Sequence, residues 1–90
     1  MSSKVGLQRG DFVYYARAVD LDCLPLTVHN VNDEYEYFTA VERVKKHESG
    51  VTYLFNYSDY GKVVFSDLYE AKDYLEDVKD MIEENERQDS

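Results

Sequence analysis

Along GDFVYYARAVD, Phe12, Tyr14, Ala16 and Ala18 alternate with Val13, Tyr15, Arg17 and Val19, the period of two that a β-strand produces. Both sets carry bulky side chains, so the alternation predicts a strand without saying which side faces inward. DLDCLP reads as a loop, because Pro25 lacks a backbone donor and drives Leu24 toward extended geometry. A second strand is expected over 26–31. Asn32 and Asp33 then mark a turn, since both residue types tolerate unusual dihedrals and bond their own backbone. The longest strand candidate runs over 35–46. HESG closes a hairpin, with Gly50 supplying a tight reversal, and VTYLFNY returns as the fourth strand. SDYGK is a brief turn before a short fifth strand over 63–65.

From Asp67 onward the period changes. Leu68, Ala71, Leu75, Val78 and Ile82 recur at steps of three and four, one apolar stripe on a helix. Asp67 stands three residues ahead of Glu70, the spacing of a capping box, and Ser66 offers the same cap one residue earlier. The stripe predicts a helix that docks on the sheet.

Short connections make neighbouring strands antiparallel, and five short strands leave a one-sided core unless the sheet curls. The expected fold is therefore α+β: a small, partly open five-stranded antiparallel barrel of SH3-like order with a C-terminal amphipathic helix. An OB-like barrel or a simple meander would use a similar element order. One domain is expected over 10–86, with a flexible leader over 1–9 and a disordered tail over 87–90. A chain of 90 residues does not bury two separate cores.

Charge changes the picture of the helix. Glu70, Asp73, Asp77, Asp80 and Glu84 also recur at steps of three and four, centred about 160° from the apolar stripe and spanning about 21 Å. Lys72 and Lys79 fall on the flank and interrupt none of the five. The formal charge is -9, and residues 67–90 hold ten acidic and three basic side chains, a balance of -7. Like charges at i,i+4 destabilise a helix by a few tenths of a kcal/mol per pair, and Asp is a poor helix former. A solvated helix face is the ordinary explanation for charge, and first-turn acids suit the macrodipole. An ordinary face would nonetheless mix both signs.

The same balance argues against direct nucleic-acid binding, which demands Lys and Arg, and points instead to a basic protein surface. No apolar run of about 18 residues and no cationic segment followed by an apolar one suggests a membrane span or signal peptide. A cytoplasmic address in a bacterial host cell is expected. One cysteine, Cys23, does not staple the chain to itself and suits a reducing compartment. Cys23, His29 and His47 lack metal-ligand spacing, and no nucleophile elbow, phosphate loop or H-E-x-x-H motif is present. Neither metal, cofactor nor enzymatic activity is expected.

Nine tyrosines and no tryptophan form a second compositional feature. Tyrosines on strands fill barrel walls while their hydroxyls reach the rim. They also make low-entropy contact surfaces, and tyrosines beside carboxylates cage methylated lysine or guanidinium. Tyr57 and Tyr60 flank the turn where an SH3-like barrel often binds its ligand.

GDFVYY at 10–15 and YSDYGKVVF with its following EA over 57–75 resemble a loose group of small, largely uncharacterised proteins. They are often encoded by phages and mobile elements of Gram-positive bacteria, with a pattern of G-D-x-V-Y, then G-K-T-V-F, then a capped helix with E-E-A. Gly10, Asp11, Val13, Tyr14, Gly61, Lys62, Val64, Phe65, Glu70 and Ala71 match, whereas Val63 replaces Thr and SDLY replaces the usual cap. The match covers about a third of the chain and its residues are structural in character. The resemblance implies a setting in which small acidic proteins block host nucleic-acid enzymes, including restriction and CRISPR systems.

The leading expectation is a non-enzymatic inhibitor that mimics nucleic acid, with the five helix carboxylates standing in for phosphates. Two alternatives are a peptide reader of SH3 or Tudor type using Tyr57 and Tyr60, and a phage assembly module that adds a strand at a sheet edge.

Overall fold

A computed structural model describes residues 4–43 and 50–88, with side chains described through residue 85. Five antiparallel strands, β1 (Phe12–Arg17), β2 (Asp22–Asn32), β3 (Tyr37–Glu42), β4 (Thr52–Asn56) and β5 (Val64–Phe65), form one sheet in the order β4-β3-β2-β1-β5. A 3-10 turn (Tyr57–Asp59) precedes β5, and helix α1 (Leu68–Gln88) follows it. The sheet curls into the partly open, SH3-like barrel expected from the pattern.

Strand β2 makes the curl possible. Its first half pairs with β1, from Arg17↔Asp22 to Phe12↔Thr27, and its second half pairs with β3, from Leu26↔Glu42 to Asn32↔Tyr37. The register shifts between Val28 and Asn30, and such a bulge bends a strand and raises its twist. Pro25 lies inside this strand, which corrects the loop expected at DLDCLP. The Pro25 carbonyl accepts from the Arg43 N–H at 3.1 Å, so its ring nitrogen faces the side where β3 has already ended and no ladder donor is needed. The actual β1–β2 turn is shorter and earlier, over 18–21, with Leu21 at φ 54. Strand β1 accordingly stops at Arg17, short of Val19.

Both faces of β1 are inner faces. Val13 joins Leu7, Leu26, Val28, Phe38, Ala40, Phe55 and Val64 in the barrel core, whereas Ala16 packs with Phe65, Ala71 and Leu75 beneath the helix. That two-sided burial explains why the alternation left the inner side undecided. Leu7 is 3% exposed and Val5 packs beside it, so the leader expected over 1–9 is docked from Lys4 on; residues 1–3 lie outside the described residues. Gly10, at φ 96, turns the chain into β1, while its N–H donates to the Val28 carbonyl at 2.9 Å.

Strand β3 is shorter than the 35–46 expected, since 33–36 is a turn in which Asn32 Oδ1 accepts from the Tyr35 N–H at 3.0 Å. The HESG hairpin falls, except for Gly50, outside the described residues, as does the end of the expected strand at 44–46. Gly61, at φ 91, reverses the chain before β5 and donates to the Val64 carbonyl at 2.7 Å. Of the two candidate caps, Asp67 serves: its Oδ1 accepts from the Tyr69 N–H at 2.9 Å. Helix α1 reaches Gln88, so residues 87 and 88 of the expected tail continue it, while 89 and 90 lie outside the described residues.

Candidate functional site: the acidic helix face

Helix α1 contacts β1, β2 and β5 and buries Ala71 and Leu75, with Leu68, Tyr74 and Val78 half-buried. Tyr74 stacks obliquely on Phe65 with ring centroids 5.8 Å apart, a contact the apolar stripe did not include. Ile82, placed in that stripe by its spacing, is 42% exposed, because the sheet ends before the helix does.

Because the docked side is fixed, the opposite side is fixed too. Glu70, Asp73, Asp77, Asp80 and Glu84 are all exposed. Among the described residues the one ion pair is Arg17 Nη2 to Asp20 Oδ2 at 2.7 Å, at the β1–β2 turn, so no described cation neutralises any of the five. Glu70, Asp73 and Asp77 border a shallow groove with Lys62, Phe65 and Tyr74 on the β5 side of the helix. Lys72 and Lys79 line a different groove on the other flank, beside Leu21, Asp22 and Cys23.

Counting the flanking Glu76 and Glu83, seven carboxylates occupy positions 70–84. Over about 21 Å of helix that is one per roughly 3.5 Å, close to the 3.4 Å per phosphate of a single strand in duplex DNA. The array lies on one continuous helix, docked on the sheet as far as Val78, which restricts how the charges from Glu70 to Asp77 spread.

Tyr57 and Tyr60 make contacts within the fold. Both are half-buried against the barrel core, and Tyr60 meets Phe38 edge-on at 6.4 Å. The Tyr57 hydroxyl donates to Asp33 Oδ1 at 2.5 Å, and the Lys4 backbone N–H donates to the same oxygen at 2.9 Å. Those two donors, the hydroxyl first, hold the Asp33 carboxyl below its usual 3.8. A lowered folded-state value means that the contact stabilises the fold above the ordinary carboxylate range and is lost as pH falls through the lowered value. Tyr57→Phe is therefore expected to reduce thermal stability at neutral pH and to reduce it less well below pH 3.8. Melting curves of both proteins across that range check it; a constant gap contradicts it.

A further aromatic group, not singled out by the sequence, packs on the barrel core. Tyr15 meets Tyr53 at 5.5 Å and Phe55 at 5.0 Å, both edge-on, and the Tyr53 hydroxyl donates to Glu42 Oε1 at 3.1 Å. Burial and that carboxylate push the Tyr53 phenol up, so it stays protonated as a donor. The usable signal was the alternation of Tyr53 and Phe55 around exposed Leu54 in β4. On the face of β1 that also carries Ala16, the Arg43 guanidinium lies 4.3 Å from the Phe12 ring centroid and 5.1 Å from that of Tyr14.

The Cys23 thiol is pushed up, by burial first and by Asp22 second, which opposes nucleophilic use. Among the described residues no three His, Cys, Asp or Glu side chains converge as a metal set. No helix of the described residues is long and apolar enough to cross a membrane. No family model, curated protein or solved structure matches the chain.

Proposed function

We propose that this chain is a non-enzymatic acidic interaction protein that occupies a nucleic-acid-binding surface of a partner protein. The observation that carries this reading is the exposed row Glu70, Asp73, Asp77, Asp80 and Glu84 along one side of α1, in which no carboxylate is ion-paired among the described residues. A cationic groove ready for phosphates accepts such a row for the same electrostatic reasons: long-range steering, complementary potential and displacement of bound counterions. The setting implied by the resembling phage and mobile-element proteins fits an inhibitor of host restriction or CRISPR enzymes acting in the bacterial cytoplasm.

Screening supplies the test. The Debye length falls from about 10 Å at 0.1 M salt to about 3 Å at 1 M, so a contact made of exposed charges weakens between them. Immobilised chain is expected to retain nucleic-acid-binding proteins from a bacterial lysate at about 0.1 M and to release them at about 1 M. Retention of partners that resist 1 M salt, with no nucleic-acid-binding proteins among those released, contradicts the reading.

A further inference from the structure

Helix α1 outruns the sheet beneath it. Its burial ends at Val78, and every described residue from Lys79 to Asn85 is exposed, including Met81 at 63% and Ile82 at 42%. The stretch from 79 to 88 projects about 15 Å. Its local energetics are poor. Isolated helices below about 12–15 residues are marginal in water, Asp80 and Glu84 are a like-charge i,i+4 pair, and Glu83 and Glu84 place negative charge toward the negative end of the macrodipole.

The underside of this overhang is uncharged. At 3.6 residues per turn, Val78, Met81, Ile82 and Asn85 share an arc of about 100° that continues the docking stripe past the barrel. Asp77 and Glu84 border it on one side and Lys79 on the other, with Glu83 one turn beyond Lys79. We propose that Val78, Met81 and Ile82 form a docking strip for a cationic amphipathic segment of the partner. Its apolar side chains seat on Met81 and Ile82, and its Lys or Arg residues reach the bordering Asp77 and Glu84.

Charge complementarity selects this occupant. A second copy would bring together two segments that each carry -7 over residues 67–90. A partner that is only polycationic leaves Met81 and Ile82 in water. Methionine, unbranched and polarisable, adapts to varied apolar surfaces. The inference rests on the reading of α1 as the contact element, and it adds that the partner's basic surface carries an apolar ledge.

Two labelled 18-residue peptides of equal charge serve as probes, one with Leu and Lys in helical amphipathic spacing, the other with every Leu replaced by Ser. In fluorescence anisotropy titrations of the full chain near 0.15 M salt, the Leu/Lys peptide is expected to bind about tenfold tighter. The double variant Met81→Ser, Ile82→Ser is expected to erase that advantage, and circular dichroism confirms its fold. Hydrogen exchange across 79–88 is expected to slow with the Leu/Lys peptide alone. Equal binding of the two peptides, or an unaffected double variant, overturns the strip. If both peptides bind alike and both are lost on reversing Asp73, Asp77 and Asp80 to Lys, the strip falls while the electrostatic reading stands. If that reversal changes neither, the electrostatic reading falls as well.

Discussion

Reversal of Asp73, Asp77 and Asp80 to Lys is expected to abolish partner capture while leaving the barrel and helix folded. The triple variant changes the formal charge by +6, from -9 to -3, and turns the centre of the acidic row cationic. All three side chains are exposed and unpaired with any described cation, so no buried contact is lost. Surface substitutions of this kind are usually worth within about 0.5 kcal/mol each, and Lys is the better helix former. Binding responds in the opposite sense, because each reversed charge now repels a cationic groove, and like-charge juxtaposition at an interface costs several kcal/mol. An unchanged circular dichroism spectrum together with complete loss of capture is the expected result. Undiminished capture by a folded triple variant contradicts the electrostatic account.

The second large effect is on stability. Phe38 is fully buried at the centre of the barrel, with Phe55 at 5.4 Å on one side and Tyr60 at 6.4 Å on the other. Phe38→Ala removes most of a ring and leaves a cavity, a change that costs about 3–5 kcal/mol. For a chain of 90 residues the whole folding free energy is about 5–14 kcal/mol. The melting temperature should fall by at least about 12 °C, at 4–8 °C per kcal/mol for a domain of this size. Thermal or denaturant unfolding measures it. A fall of less than about 4 °C would mean that the barrel collapses around the vacancy and that Phe38 does not hold its centre. Because Phe38 lies in the barrel cluster and Ala71 and Leu75 in the separate cluster under the helix, partner capture should track the folded fraction and nothing else.

The legibility of this chain follows the locality of its signals. The cap at Asp67, the turn glycines at 10 and 61, and the start of β1 are short-range, and each stands where its residue type requires. The helix faces were readable for the same reason, since the docking of Ala71 and Leu75 forces Glu70, Asp73 and Asp77 outward. What escaped depends on tertiary context. Pro25 reads as a loop until a neighbouring strand that ends at Glu42 leaves its nitrogen side without a donor requirement. The leader lacks a period, yet Leu7 fills the barrel because Gly10 and Asp11 extend the β1–β2 ladder and aim the preceding residues inward. Ile82 keeps perfect helical spacing but has no sheet under it, which spacing alone does not reveal. Tyr57 and Tyr60 flank the turn before β5, as their place in the sequence indicates, but spacing alone does not reveal that their rings also pack on Phe38 and the core and that the Tyr57 hydroxyl bonds Asp33.

Direct competition addresses the claim that the acidic face takes the place of nucleic acid. A nucleic-acid-binding protein captured on the immobilised chain is challenged at about 0.1 M salt with increasing duplex DNA, and released protein is measured. The account predicts mutually exclusive binding: DNA displaces the captured protein completely, and added free chain restores DNA-free partner in proportion to its concentration. A stable ternary complex of chain, partner and DNA would contradict it.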